Sequence, residues 1–413
     1  MGFNQLFNSW FVWFKSQPWS LKWFLYLILF MPFISIFYEF KTEGAFSPLQ
    51  IVGVLSFILS VNFIIKKRIV LRRYEYFFLF FSVIYILNQI FFLVKFSSVG
   101  DFGFVIRNLL PIVFYFYLRR VINNKNIFEG ILITFLVSSI FPYTVFFYEF
   151  FFDPIKEEYI SDYRGGLLRL TGFYADIFSY LSYIIGDFII IVYFMISKKL
   201  KFKFSYLVAL YFMTLLGVIG LSHQSTWIVF SFLTLIVLLH LFKSRFKLYF
   251  IPLIIIFVSL GGYFSINKYV KPLFSKELSA FQGTSDSDRM FNGRIVRWKK
   301  YYNIWDNMSF FYKSFGVGFS SSKYSKAMMS GGMHSDYVRL GFGAGILGLI
   351  FYLLFYLSLI FRKRKVDISA AFILNSSLSI MILYAVSSNP FGSSGALIYL
   401  TLATFSYFAL LKF

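Results

Sequence analysis

Apolar runs of membrane-spanning length alternate along this chain with connections that are basic every second time, and few architectures accommodate that pattern. A helix needs about 20 mostly apolar residues to cross the hydrocarbon of a bilayer. Twelve runs qualify: 20–38, 49–65, 75–94, 102–118, 128–151, 173–196, 204–221, 225–242, 248–266, 338–361, 369–388 and 395–411. Strands of a membrane barrel are shorter and alternate apolar with polar residues, which these runs do not. Charged residues make up 14% of the 413 positions and hydrophobic ones 59%. That leaves too little polar surface for a water-soluble globule, whose charged fraction is nearer a quarter. The expectation is an all-α, polytopic integral membrane protein, with 1–413 as a single membrane domain.

The connections fix an orientation. Those after runs 2, 4, 6, 8 and 10 read KKRIVLRR, RRVINNKN, KKLKFK, KSRFK and RKRK, with 5, 3, 4, 3 and 4 basic residues. The intervening ones, such as EFKTEG and SSNPFGSSG, are mixed or neutral. The positive-inside rule puts the basic connections and both termini in the cytoplasm. Much of the net charge of +22 is thereby explained without nucleic acid, which is not an expected partner. Ahead of the first run, Phe3, Phe7, Trp10 and Phe14 recur at helical spacing. Residues 3–15 read as an amphipathic helix lying in the interface, in contact with membrane lipids.

Composition narrows the chemistry. With no Cys there is no thiol nucleophile and no Cys-ligated metal, and His223, His240 and His334 lie far apart in sequence. No metal and no cofactor is expected. The cytoplasmic connections are too short to hold a nucleotide-binding domain, so chemistry falls to the outer loops. Two are long, 152–172 and 267–337. The second, extended to Arg339, carries twelve basic residues against five acidic ones, which opposes the positive-inside trend and calls for an anionic partner outside.

Within that loop, NGRIVRWKKYYNIW (292–305) reads as an amphipathic helix with Ile295, Trp298, Tyr302 and Trp305 on one stripe. Arg294 and Arg297, three apart, share a face. Two adjacent guanidinium groups can hold a diphosphate through bidentate hydrogen bonds. A basic helix resting on anionic headgroups has the same pattern. Arg164 and Arg169 stand in the first long loop, where a lone Arg commonly snorkels. Arg107 lies inside the fourth run, where a charge is costly and is functional or paired. Asp187 in the sixth run is either its partner or an independent buried acid.

His334-Ser335-Asp336-Tyr337 closes the large loop just before the tenth run. A His at a membrane–water boundary can take a proton from a hydroxyl, and an adjacent Asp can orient it or act itself. The GAGILG that follows (343–348) fits a dinucleotide fingerprint, but it follows no strand and reads as a helix-packing seam. The acidic Asp286-Ser287-Asp288 reads as polar loop, and Asn307-Met308-Ser309 is a glycosylation sequon only in a eukaryotic secretory pathway.

The order RLTGFYADIFSY, LSHQSTWIVF, GRIVRW, FGVGFSSSKYS and MHSDYVRLGFGAGILGL resembles the bacterial O-antigen polymerase and ligase superfamily, the Wzy-type polymerases most closely. The resemblance covers about 168–349, and the number of runs agrees over the whole chain. It matches Arg169 and Gly172, then Arg294, Arg297 and Trp298, then Gly316 and Gly318, then His334, Asp336 and Tyr337. One departure is Ser222-His223, where members often carry Ser-Arg.

What the resemblance implies is a GT-C-like, inverting, metal-independent glycosyltransferase at the outer face of the bacterial inner membrane. The donor and acceptor would be undecaprenyl-diphosphate-linked glycans. Arg169, Arg294, Arg297, Arg107 and Arg339 are candidates for the diphosphate, and His334 and Asp336 for catalysis. Tyr337, Trp298 and Arg164 are candidates for the acceptor sugar. A chain-length regulator and a flippase are implied as partner proteins. Two other activities stay open at this point: a ligase that passes the glycan to a lipid A core, and a flippase for lipid-linked glycans.

Overall fold

The computed structural model describes residues 2–39, 48–66, 69–95, 99–153, 155, 170, 172, 177–200, 204–221, 223–243, 271–284, 290–319, 335–361, 367–387, 401 and 404. Among them there is no strand. The helices are α1 (Phe3–Ser16), α2 (Trp19–Ile34), α3 (Pro48–Ile65), α4 (Glu75–Lys95), α5 (Val99–Val121), α6 (Lys125–Ser138), α7 (Ile140–Phe151), α8 (Ile177–Ile196), α9 (Phe204–Leu221) and α10 (Gln224–Lys243). There follow α11 (Ser275–Phe281), α12 (Met290–Asp306), α13 (Phe310–Phe315), α14 (Asp336–Ile360) and α15 (Ile368–Ser387). Ten of the twelve apolar runs coincide with described helices. The run 248–266, and 395–411 apart from Thr401 and Thr404, lie outside the described residues.

Five segments are long and apolar enough to cross a membrane: Trp19–Phe37, Glu75–Val94, Lys125–Phe151, Asp336–Ile360 and Ile368–Val386. Their outward faces are apolar too. On α4 the exposed positions include Tyr76, Phe80, Val83, Leu87, Ile90 and Val94, and on α14 Ile346, Ile350, Leu353, Leu357 and Ile360. Spacings of three and four make each set one stripe. The opposite faces, with Phe78, Phe81, Tyr85 and Phe92 on α4 and Leu340, Tyr352, Phe355 and Leu359 on α14, are buried. A helix apolar on both faces is suited to protein on one side and hydrocarbon on the other. The molecule is an α-helical bundle of membrane-protein type.

Opposite ends of the bundle are held by different chemistry. At one end Glu75 opens α4 fully buried, and it accepts from Arg119 Nε at 2.8 Å, from Tyr115 Oη at 2.9 Å and from the Arg72 amide at 2.8 Å. Arg120 donates to the Ile64 carbonyl at 2.8 Å. Glu129 pairs with Lys199 and accepts from Tyr193 Oη at 3.1 Å. Basic residues of the fourth and sixth connections thus do structural duty as well as supplying charge.

Three expectations are refined. The run 128–151 is two helices meeting at Ser139 rather than one. Pro142 has no amide to give to the preceding turn, and the Ser138 and Ser139 hydroxyls bond back to the carbonyls of Phe135 and Leu136 at 2.7 and 2.8 Å, which favours a jog there. On α1, Leu6 and Phe14 are buried and Trp10 Nε1 reaches Thr134 Oγ1 of α6 at 2.9 Å, so part of the apolar face rests on protein. On α12 the buried ring is Tyr301, whereas Tyr302 is exposed. The inward stripe keeps Ile295, Trp298 and Trp305, all half-buried, and takes Tyr301 in place of Tyr302.

Candidate functional site

A second group of polar residues carried by the apolar helices meets at the other end of the bundle. Asp336 and Arg339 open α14, Asn88 and Gln89 lie near the end of α4, and Asn108 lies in the first half of α5; all five are buried. Arg339 Nη2 stands 3.3 Å from Asp336 Oδ1, one helical turn away. Arg339 Nη1 donates to Asn108 Oδ1 at 3.4 Å, and Asn108 Nδ2 donates to Gln89 Oε1 at 3.2 Å. Tyr85 lies within electrostatic reach of both Arg339 and Asp336. Arg339 Nε and Nη2 have no hydrogen-bond partner among the described residues. A buried N–H left unpaired costs about 1–3 kcal/mol, so a guanidinium held this way is poised for an anionic oxygen.

Asn88 ties the large loop into this cluster. Its Nδ2 donates to the carbonyls of Ile84 at 3.0 Å and Phe315 at 2.5 Å, and its Oδ1 accepts from the Gly318 amide at 2.9 Å. The close approach needs glycine. A Cβ on Gly318 would stand 2.2 Å from the Asn88 carbonyl oxygen. Beside it, α14 breaks at Gly345, whose φ of 67° and ψ of −179° are not helical. A Cβ there would stand 2.2 Å from the Ser314 carbonyl oxygen. The expected packing seam has two neighbours: at Gly348 the side chains of Phe81 and Ile84 on α4, and at Gly345 the backbone at the end of α13 in the large loop.

Neighbouring helix ends complete the layer. Ser335 Oγ donates to the Ala385 carbonyl at 3.0 Å and Tyr337 Oη to the Ile382 carbonyl at 3.1 Å, joining α14 to the end of α15. At the start of α10, His223 is buried, and Gln224 Nε2 bonds to the Leu273 carbonyl at 2.6 Å and Glu277 Oε2 at 2.9 Å. The first long loop also lands at this end: the Leu170 amide donates to the Gly220 carbonyl at 3.0 Å. Gly172, with φ of 54°, sits where a Cβ would meet Tyr180 Oη at 2.1 Å.

Of the sequence-derived candidates, Asp336, Arg339 and Tyr337 share the cluster. Asp336 is fully buried and paired with Arg339, a placement suited to orienting the guanidinium. The helix α12 leans on α14 through Tyr301 and Phe342, whose rings are 5.9 Å apart and nearly perpendicular. Arg294 shares the face of Tyr301 and is half-buried, whereas Arg297 is exposed. Trp298 is half-buried on that face. Arg107 is exposed, while the next residue, Asn108, turns inward. Asp187 does not pair with Arg107: it is buried and accepts from the Ser139 hydroxyl. His334, Arg164 and Arg169 lie outside the described residues.

Asn88, Gln89 and Asn108 were missed by the reading of motifs. Their signal was present, since an amide side chain inside an apolar span is expensive and marks an interior or functional position.

Compared with family models, with curated proteins and with solved structures, the chain matches none. A fold hosts many functions in any case, so the function has to be read from the site.

Proposed function

We propose that this chain polymerises oligosaccharide repeat units carried on undecaprenyl diphosphate, by inverting, metal-independent glycosyl transfer at the outer face of a bacterial inner membrane. The reading combines twelve spans with a GT-C-like architecture. The observation that supports it best is the buried Arg339, paired with Asp336 through Nη2 and bonded to Asn108 through Nη1, with Nε left without a hydrogen-bond partner among the described residues. It stands where a basic outer loop meets the helix bundle, a boundary at which a lipid diphosphate presents its glycosidic bond.

In this reading an acceptor hydroxyl attacks the anomeric carbon of the donor glycan. The bond from that carbon to the diphosphate oxygen breaks with inversion, and the lipid diphosphate leaves with the electron pair. Arg339 stabilises the charge that develops on it, and Asp336 and Asn108 hold Arg339 in place. Arg294 and Arg297 on α12, with Arg169 from the first long loop, complete the diphosphate clamp. Arg107, inside the fourth run, is a further candidate for that clamp. His334 takes the acceptor proton, and Trp298, Tyr337 and Arg164 line the acceptor sugar.

Purified protein in lipid nanodiscs, given one defined lipid-linked repeat unit, tests this. Wild-type protein forms a ladder of longer glycans and releases lipid diphosphate with no other protein present. Arg339→Gln, assayed on the fraction that elutes as folded protein because it leaves the buried Asp336 without its cation, loses about 100-fold or more in rate, the usual effect of removing a donor aimed at developing charge. Chain growth at the wild-type rate in Arg339→Gln refutes the role of Arg339, and absence of chain growth in wild type refutes the activity. In cells, deletion leaves lipopolysaccharide with one repeat on the core; bare core would identify a ligase instead.

A further inference from the structure

From Asn307 the large loop turns back into the bundle, and the short helix α13 enters between α4 and α14. The depth of entry follows from its anchors. Gly345, which touches the backbone of Ser314 and Phe315, lies nine residues into α14. At a rise of about 1.5 Å per residue that is about 13 Å from the helix start. Asn88, which holds Phe315 and Gly318, is seven residues from the end of α4, or about 10 Å. The hydrocarbon of a bilayer is about 30 Å thick, so both anchors sit at membrane depth.

Alpha13 nevertheless shows aromatic rings to the outside. Phe310 is 85% exposed, Phe311 50% and Phe315 38%, with the last two rings packed 5.3 Å apart. This surface continues into the lipid-facing stripes of its neighbours. The exposed stripe of α14 starts at Ile346, the residue after Gly345, and exposed Leu87, Ile90 and Phe91 of α4 flank Asn88.

We infer that Phe310, Phe311 and Phe315 form a re-entrant aromatic wedge immersed in the hydrocarbon of the membrane leaflet at this end of the bundle. Two further observations fit hydrocarbon rather than water. Irregular backbone is tolerated at membrane depth only where its polar groups are satisfied inside protein. The turn at Gly316–Gly318 is buried, and Asn88 takes the Phe315 carbonyl and the Gly318 amide. Lys313, the one charge on α13, turns back over the Trp305 ring at 5.0 Å and reaches Asp306 Oδ1 at 3.5 Å, as a snorkelling side chain does. The wedge ties the basic helix α12 to the membrane surface at a fixed height, independently of the chemistry proposed above.

The chain has no Cys, so any introduced one is unique. Single variants Phe310→Cys and Phe311→Cys, in the full-length protein in phosphatidylethanolamine–phosphatidylglycerol vesicles, carry a nitroxide whose collisions with oxygen and with a neutral nickel chelate are measured. Ile350→Cys on the α14 stripe gives the hydrocarbon reference, and Lys300→Cys, exposed on α12, gives the aqueous one. Both wedge labels are expected to match Ile350, with an oxygen-to-nickel ratio several-fold above that of Lys300. A ratio equal to that of Lys300 overturns the inference by placing the rings in water. Labels shielded from both reagents overturn it as well, by showing that protein covers the face. All four sites are solvent- or lipid-facing, and unchanged melting temperatures verify that the fold is kept.

Discussion

Replacing Gly345 by alanine is the sharpest test of the broken helix α14. The residue has φ of 67° and ψ of −179°, a region that side chains other than hydrogen enter at about 1–3 kcal/mol. The added methyl would also stand 2.2 Å from the Ser314 carbonyl oxygen, 2.3 Å from its carbon and 2.5 Å from the Phe315 nitrogen. All three atoms are backbone, and Asn88 holds that backbone in place, so relief requires moving α13. Overpacking of this kind adds about 1–3 kcal/mol, for a total of about 2–6 kcal/mol. The control is Gly341→Ala in the same helix, where the nearest atom would be Leu349 Cδ2 at 4.0 Å. There, alanine is expected to be neutral or to stabilise by up to about 1 kcal/mol. Thermal unfolding of both variants in one detergent, followed by intrinsic fluorescence and size-exclusion chromatography, gives the comparison. The sign decides it, because a straight helix gains from Gly→Ala at either position. If Gly345→Ala melts at or above Gly341→Ala, the break and the inserted loop are refuted.

Asn88→Ala leaves the Gly318 amide and the Phe315 carbonyl unpaired in the interior, a loss of about 2–6 kcal/mol at about 1–3 each; faster proteolysis within the large loop and a lower melting temperature are the readouts. At the opposite end, Glu75→Gln strips Arg119 of its carboxylate and is expected to cost about 3–5 kcal/mol. A double-mutant cycle with Arg119→Met recovers part of that loss if the pair is coupled. Arg339→Lys retains the charge and loses the planar fork, so under the proposed function chain growth in the assay described above falls about 100-fold while the melting temperature changes little. Equal rates for Arg339→Lys and wild type would show that charge alone suffices.

The length of the apolar runs and the basic clusters that end them were enough to locate α2–α5, α8–α10, α14 and α15. Those features are local, and hydrocarbon thickness sets them directly. The jog at Ser139 was written in Pro142 and two serines, but apolarity alone does not report a bend. The choice of Tyr301 over Tyr302 on α12 escaped because the two are chemically alike, and only contact with Phe342 distinguishes them. In the site, Arg339 and Asp336 were legible as charges beside a span. Asn88 was not, because its partners lie 227 and 230 residues away in sequence. The glycines of 343–348 announced a close approach without naming what approaches.

The grip of Asn88 has a consequence for how such a loop can change. Both hydrogens of its amide go to carbonyls and its oxygen takes an amide N–H, so all that it recognises is main chain. Apart from the two glycines that let the strands of the turn come near, the attachment is blind to the identity of the loop's side chains. The side chains of the large loop can therefore be rewritten while its docking point stays the same. A socket that reads only backbone lets the loop's sequence drift without the scaffold having to follow.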